Sequence, residues 1–180
     1  LDAGRLSAPG AMTASAHWPE EGPRLAPYKG RADLGLHLTL TDLTPLGAMA
    51  RTAPDGRLPE WGTLVARAYA GRLDAGEIGA ELDRQIEAFT RAVGQAPDFI
   101  DGHRHVHLVP TVREAVLARA AALGRHVYVR YTSDGIAAIF GRGVAVARAF
   151  VIAAMGRGMT RLGRRAGVSG PTAFRGVRDF

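Results

Sequence analysis

The feature that most restricts the fold is the alternation along the chain of segments with the two-residue hydrophobic period of a strand and segments with the roughly 3.6-residue period of a helix. The first such segment is residues 33–41. In this segment, D-L-G-L-H-L-T-L-T, every second residue from Leu34 to Leu40 is leucine, and the residues between are Gly, His and Thr. Successive side chains of a strand point to opposite faces, so the segment predicts a β-strand with one apolar face. His37 is predicted to lie on the polar face.

Helix and strand patterns alternate along the rest of the chain. The predicted elements are, in order, a helix over residues 74–93, a strand over 101–107, a helix over 111–123 and a strand over 126–131. Both helices open on a predicted capping box, Asp74 with Glu77 and Thr111 with Glu114. This alternation indicates an α/β fold whose parallel strands are joined by right-handed crossovers.

Three of the six histidines stand at every second position of the stretch D-G-H-R-H-V-H, residues 101–107. The residues predicted to share one strand face are Asp101, His103, His105 and His107. Neighbours on that face are about 6.5 Å apart, so a strand offers one metal ligand and adjacent strands supply the others. His37 is suited to be such a ligand, because the carboxyl ends of parallel strands meet at one edge of the sheet.

A structural role is the alternative for each histidine, since an imidazole also serves as a hydrogen-bonding group in the core or at the surface. His17 and His126 stand alone in the sequence and are assigned to that class. For the cluster, four ionisable groups on one buried face would be costly to desolvate without a function. The pattern therefore favours a metal or catalytic site, and no nucleophile elbow, P-loop or dinucleotide fingerprint competes with it.

Composition restricts the ligands and partners. Cysteine is absent, which leaves His, Asp and Glu as metal ligands. The formal net charge is +6, and residues 111–180 hold 12 basic and 3 acidic side chains, a net of +9. Arginine accounts for 22 of the 23 basic residues, and no aromatic-rich basic strand or helix-turn-helix accompanies them. A nucleic-acid partner is therefore not expected.

Two further segments carry predictions. Residues 42–60 contain three prolines and predict a long loop, and loops of this length often act as lids over a site. Residues 143–155 are very apolar, but the segment is shorter than a membrane span and carries Arg148, so a buried or interfacial helix is predicted. The chain opens without a signal-peptide pattern, and a cytoplasmic location is expected.

The two motifs L-G-L-H-L-T-L-T and I-D-G-H-R-H-V-H-L-V-P, separated by a long loop and one long helix, resemble the YdjC-like family of carbohydrate deacetylases. This family includes chitooligosaccharide deacetylases and deacetylases of hopanoid biosynthesis. The resemblance implies an incomplete, deformed (β/α) TIM-like barrel and a divalent metal, usually magnesium, held by an Asp and two His. Carried onto this chain, the two metal histidines are His37 and His103.

The chain also departs from the family pattern. The family's metal-site and catalytic aspartate belongs to a D-D-F-G stretch, which is absent here. The family continues after a pattern that corresponds to F-R-G-V-R-D-F, whereas this chain stops at Phe180. Residues 1–180 are thus expected to be a single domain that forms part of a larger barrel, truncated at both ends and lacking the first strand and the last strands. Such a piece is expected to be inactive, and its catalytic residue is unknown.

The resemblance implies that the parent protein removes N-acetyl groups from an amino sugar, an oligosaccharide or a glycolipid. Two imidazoles and a carboxylate suit Zn²⁺ as well as Mg²⁺, so the choice of ion stays open. Asp101 is assigned the role of orienting a metal-binding imidazole without touching the metal itself. His105 and His107 are assigned to contact with the substrate or its leaving group, or to packing. The alternative is a non-catalytic (β/α) domain that binds metal or an acidic partner through its basic C-terminal part. Oligomerisation is left open.

Overall fold

A computed structural model of the chain describes residues 1–141, 145–172 and 174. These residues form one parallel sheet whose strands follow chain order: β1 (Gly10–Ala11), β2 (Gly35–Leu38), β3 (Phe99–Gly102) and β4 (Tyr128–Val129). The predicted α/β class with parallel strands is confirmed. Beyond β4 a single parallel bridge joins Tyr128 to Ser169, and closure of the sheet into a barrel remains a prediction.

Helices connect and cover the strands. Those in the described ranges are α1 (Trp18–Glu21), α2 (Trp61–Tyr69), α3 (Ala75–Val93), α4 (Val112–Leu123), α5 (Ile136–Phe140) and α6 (Val146–Arg165). The predicted apolar segment 143–155 corresponds to the first half of α6, although residues 143–144 lie outside the described part, as do residues 175–180. In the part of the chain that the structure describes, no helix has the length and apolarity to cross a membrane.

Strand β2 owes its place to its leucines. Leu34, Leu36, Leu38 and Leu40 are all fully buried, as the period-two pattern predicts. Three of them join the main core between the sheet and the helices, while Leu34 packs with Trp18 and Phe89 in a second cluster. The intervening residue His37 keeps part of its ring exposed. One face of the strand therefore anchors the fold and leaves His37 on the other.

Helix α3 follows its sequence signals closely. The Asp74 side chain caps its first turn by accepting a hydrogen bond from the Glu77 amide at 3.0 Å. Gly94 ends the helix with φ +78°, a left-handed conformation that glycine adopts at little cost. The helix predicted over residues 74–93 and its Asp74 cap are confirmed, but the Glu77 half of the predicted capping box is wrong, because the Glu77 side chain bonds the amides of residues 51 and 52 instead.

Three side chains of α3 form hydrogen bonds with the backbone of the segment that follows β2. Buried Gln85 bonds both backbone groups of Thr39, at 3.0 and 2.7 Å. Buried Glu81 accepts from the Leu46 amide at 2.9 Å, and Glu77 accepts from the amides of residues 51 and 52 at 2.8 and 2.9 Å. The loop over residues 42–60 is thus present as predicted, and it is fastened to α3 at two separate places.

The second histidine-bearing segment differs from its prediction. The strand predicted over residues 101–107 ends at Gly102, and a 3-10 segment, His103–Leu108, follows. Within it Arg104 and His105 have φ of +48° and +61°, a left-handed backbone. A Cβ on Gly102 would lie 2.8 Å from the His107 backbone nitrogen, so glycine permits the chain to fold back over itself. The prediction that Asp101, His103, His105 and His107 share one strand face is therefore wrong.

The start of α4 also differs from its prediction. Thr111 has φ +70° and makes no side-chain hydrogen bond to the helix, whereas an N-cap residue needs an extended backbone to do so. Glu114 instead pairs with Arg113 at 2.9 Å. The helix predicted over residues 111–123 is present as Val112–Leu123, but its capping box is wrong.

Candidate functional site

The candidate site lies where β2 and β3 end side by side. Their parallel register places His37 directly opposite Asp101. The His37 ring donates its Nδ1–H to Asp101 Oδ1 at 2.6 Å, because an ionised carboxylate can only accept. A neutral His37 ring then carries its lone pair on Nε2. Asp101 thus orients His37, a neighbour across the sheet.

Asp101 itself is held from two sides. Its side chain is 1% exposed, and its second oxygen, Oδ2, forms an ion pair with the guanidinium of Arg130. Burial acts to raise the pKa of Asp101, but the hydrogen bond from His37 and the charges of His37 and Arg130 outweigh it. The pKa consequently lies below its ordinary value, and the group is a carboxylate at neutral pH.

His103 reaches the site from the turn after β3. Its ring lies edge-on to that of His37, with 5.6 Å between the ring centroids. Burial, together with the nearby charges of His37 and Arg104, lowers the pKa of His103. His103 is therefore neutral at pH 7, which is the form of imidazole that binds a metal. The structure brings the two predicted metal histidines together.

His107 is separated from this pair by the turn. It is fully buried and donates its Nε2–H to the backbone oxygen of Arg130 at 3.0 Å. Burial lowers the pKa of His107 to about 3, so the ring is neutral across the physiological range. This position corresponds to the packing role that the sequence left open for it.

His105 faces a different environment again. Its ring meets that of Phe174 edge-on at 5.5 Å, and burial with the nearby Arg130 charge lowers the pKa of His105 to about 4. It lines a cavity of about 600 Å³ next to the site. The other lining residues are Trp61, Arg104, Arg148, Val151, Ile152 and Met155. His105, unlike His37 and His103, thus lines this open space.

The cavity wall and the histidine turn are joined by direct contacts. Trp61 donates its indole N–H to the Arg104 backbone oxygen at 2.9 Å, and the Arg104 side chain pairs with Asp42 at 3.2 Å. These contacts hold the turn against α2 and the start of the long loop. The two remaining histidines, His17 and His126, are exposed and lie apart from the site.

The fit of a metal can be judged from the donor atoms. Among the residues that the structure describes, no group of three His, Asp or Glu side chains could enclose a cation. His37 and His103 nevertheless offer two imidazole rings side by side, and the Nδ1 of His37 is bonded to Asp101, which leaves its Nε2 facing away from that carboxylate. A carboxylate–histidine pair of this kind is the usual support of a metal-binding histidine. The chain fits a metal as the provider of two ligands.

Arg130 is the residue of the site that sequence patterns do not predict. It follows β4 directly, and its amide donates to the Ile100 oxygen of β3 at 3.2 Å. The sequence signal available is its place at the end of a strand in V-Y-V-R, at the same sheet edge as Asp101. A single arginine after a short strand is too common a feature to identify by itself.

Comparison with known proteins places these observations in context. The chain is 44% identical over 92 residues to a chitooligosaccharide deacetylase of Serratia marcescens, which covers 51% of this chain and 36% of that protein. It is 43% identical over 88 residues to one of Yersinia pestis, covering 48% of this chain and 34% of that protein. The alignments thus span about a third of the length of these curated relatives.

A solved structure shows the same fold. A protein from Enterococcus faecalis named for cellobiose-phosphate cleavage superposes with a TM-score of 0.64 at 20% identity, over 92% of this chain and 56% of that one. The family model described as YdjC-like protein matches residues 1–179. The chain therefore belongs to the YdjC-like protein family.

Proposed function

We propose that this chain is part of a metal-dependent hydrolase that removes N-acetyl groups from an amino sugar or oligosaccharide. The observation that carries the proposal is the His37–Asp101 pair with His103 beside it. Hydrolysis of an amide at neutral pH requires an activated water and a polarised carbonyl. The names of the curated relatives, chitooligosaccharide deacetylases, support the same reaction.

His37 and His103 would hold the metal through their imidazole nitrogens. A divalent cation bound there, Mg²⁺ or Zn²⁺, would polarise the acetyl carbonyl and lower the pKa of a water. Asp101 accepts a hydrogen bond from the Nδ1–H of His37 and thereby keeps Nε2 available as a metal ligand. The third ligand and the general base are expected from the family's aspartate, which is not among residues 1–180. Residues 1–180 alone, which do not contain that aspartate, are expected to be inactive.

The cavity beside the histidine pair would receive the sugar. Trp61 provides an aromatic surface at its wall, and His105 lines it as well. A neutral His105 is able to donate or accept a hydrogen bond to a sugar hydroxyl or an acetamido group. The apolar residues that α6 adds to the wall, Val151 and Met155, would also accommodate the lipid part of a glycolipid.

Removal of single histidines from the full-length protein tests the proposal. His37→Ala and His103→Ala are each expected to weaken metal binding by about 100-fold or more, because loss of a supporting residue alone costs 10–100-fold. Metal content by elemental analysis and acetate release from an N-acetylglucosamine oligomer are the measurements. The exposed His17→Ala is the matched control and should change neither.

The two readouts separate the alternatives. Excess chelator should abolish acetate release, and a divalent ion should restore it. Unaltered metal content in both histidine variants would contradict the metal assignment. Metal binding without acetate release would favour the non-catalytic binding domain.

A further inference from the structure

Arg130 is fixed in place by its own backbone. Its amide donates to the Ile100 oxygen of β3 at 3.2 Å, and its carbonyl oxygen accepts the Nε2–H of buried His107 at 3.0 Å. Residue 130 is thus fastened to β3 on one side and to the histidine turn on the other. Its side chain starts from a point that has little freedom to move.

From this point the guanidinium reaches Asp101. It pairs with Oδ2, while Oδ1 accepts the Nδ1–H of His37. The carboxylate is therefore held at both oxygens, with its side chain 1% exposed and almost no water to take the place of either partner. The position of Oδ1 depends on the contact at Oδ2, because the two oxygens belong to one planar group.

We propose that Arg130 is a positioning residue for the candidate metal site, which acts by holding Asp101 so that His37 presents Nε2 as a donor. This inference rests on the proposed function and adds to it a residue that touches neither metal nor substrate. Arginine suits the role because its charge is permanent and its planar group is directional.

The expected effect follows from what Asp101 would lose. Without the guanidinium, the buried carboxylate keeps one partner and its plane is free to rotate. It then no longer holds the His37 proton on Nδ1. The imidazole then divides between its two tautomers and ring orientations. Loss of such outer partners weakens metal binding by about 10–100-fold.

The test uses the full-length protein and zinc as the probe. Arg130→Met is expected to lower zinc affinity about 10–100-fold by calorimetry, and Arg130→Lys, which keeps the charge, is expected to recover most of this loss. Long-range ¹H–¹⁵N spectra of the metal-free protein should show His37 protonated at Nδ1 in the wild type and mixed in Arg130→Met. A purely structural role would not move this tautomer signal.

Arg119→Met is the matched control. Arg119 also pairs with a carboxylate, that of Asp83 at 2.8 Å, and its side chain is 32% exposed against 34% for Arg130. It joins α4 to α3 away from the site, so zinc affinity and the His37 tautomer should both stay at wild-type values. Thermal unfolding reports on folding, and if Arg130→Met does not fold, Arg130→Gln, which loses the charge but keeps a neutral donor, should show a loss of zinc affinity between those of Arg130→Met and Arg130→Lys.

The outcomes are distinguishable. Wild-type zinc affinity and an unchanged His37 tautomer in Arg130→Met would overturn the role of Arg130. A wild-type protein that binds no divalent ion would instead overturn the proposed function, and the tautomer comparison would still decide whether Arg130 orients His37.

Discussion

Two segments of this chain show side chains of one kind at every second position, and they fold differently. Residues 34–40 contain β2, which spans residues 35–38 and is one of the two inner strands of the sheet, whereas residues 103–108 form a tight turn. In the first segment the repeated residue is leucine, and burial of four leucines on one side requires an extended chain. In the second the repeated residue is histidine, the residues between are Arg104 and Val106, and Gly102 comes directly before the first histidine. Alternation specifies a strand only when one face is consistently apolar.

The difference has a chemical consequence. A strand would have set three imidazoles in a row on one face at about 6.5 Å spacing. The turn instead sends His103 beside His37, His105 toward a cavity and His107 into the core. Three residues with the same side chain thus have three environments, and only one of them joins the candidate metal pair.

The largest effect is expected in the sheet. Gly35→Ala would place a Cβ in direct overlap with the Phe99 ring, which stacks in turn on Tyr128. We expect it to lower the free energy of unfolding by about 3 kcal/mol, because a packed core does not accommodate an added methyl group. Urea unfolding followed by circular dichroism measures this change.

Gly62→Ala is the control for this substitution. Gly62 lies in α2, and no atom lies within 4 Å of the position that a Cβ would take there. Alanine also favours a helix over glycine by about 1 kcal/mol. The control should therefore be neutral or stabilising. Equal effects of the two substitutions would show that close packing against Phe99 does not explain the requirement for glycine in β2.

A smaller effect on the free energy of unfolding is expected from pH, because His107 in the turn titrates differently in the folded and unfolded chain. His107 has a pKa of about 3 in the folded protein and about 6.5 when unfolded. Between these values the unfolded chain binds a proton that the folded chain excludes, so stability falls as the pH falls. From pH 8 to pH 5 the loss due to His107 is about 2 kcal/mol. Urea unfolding of the metal-free protein at both pH values measures it.

The matched variants are His107→Gln and His17→Gln. Glutamine keeps a donor for the Arg130 carbonyl oxygen but does not titrate, so His107→Gln should reduce the pH dependence by this amount. The exposed His17→Gln variant is the control for loss of a histidine outside the core. An unchanged slope in His107→Gln would contradict the burial of a neutral ring.

The smallest effect concerns the backbone of the turn. At Arg104, with φ +48°, glycine should be more stabilising than alanine by about 1 kcal/mol, since alanine is strained in the left-handed region. At exposed Arg91 in α3, alanine should be more stabilising than glycine by a similar amount. Thermal unfolding of the four variants, with glycine or alanine at residue 104 or 91, gives both differences. The same order at both positions would show that the turn is not left-handed at residue 104.

The features that could be predicted from the sequence have local causes. The leucines of β2 and the Asp74 cap with Gly94 of α3 each act within a few residues, so pattern and structure agree there. The approach of His37 to His103 can also be predicted from the sequence, because parallel strands end at one edge of the sheet. The left-handed turn cannot be predicted in this way, since it depends on the close approach of Gly102 to His107. Arg130 and Asp101 are far apart in the sequence, and nothing local links them.

The attachment of the loop over residues 42–60 to α3 determines which parts of the loop can move separately from the helix. The amides of Leu46, Arg51 and Thr52 are bonded to Glu81 and Glu77, so in hydrogen exchange they should be released together with α3 and not as a separate unit. Among the hydrogen bonds of the described residues, none of this kind joins residues 53–59 to α3. An inserted peptide would therefore be tolerated best near Gly56, where the backbone is exposed and its φ of +76° already marks a turn.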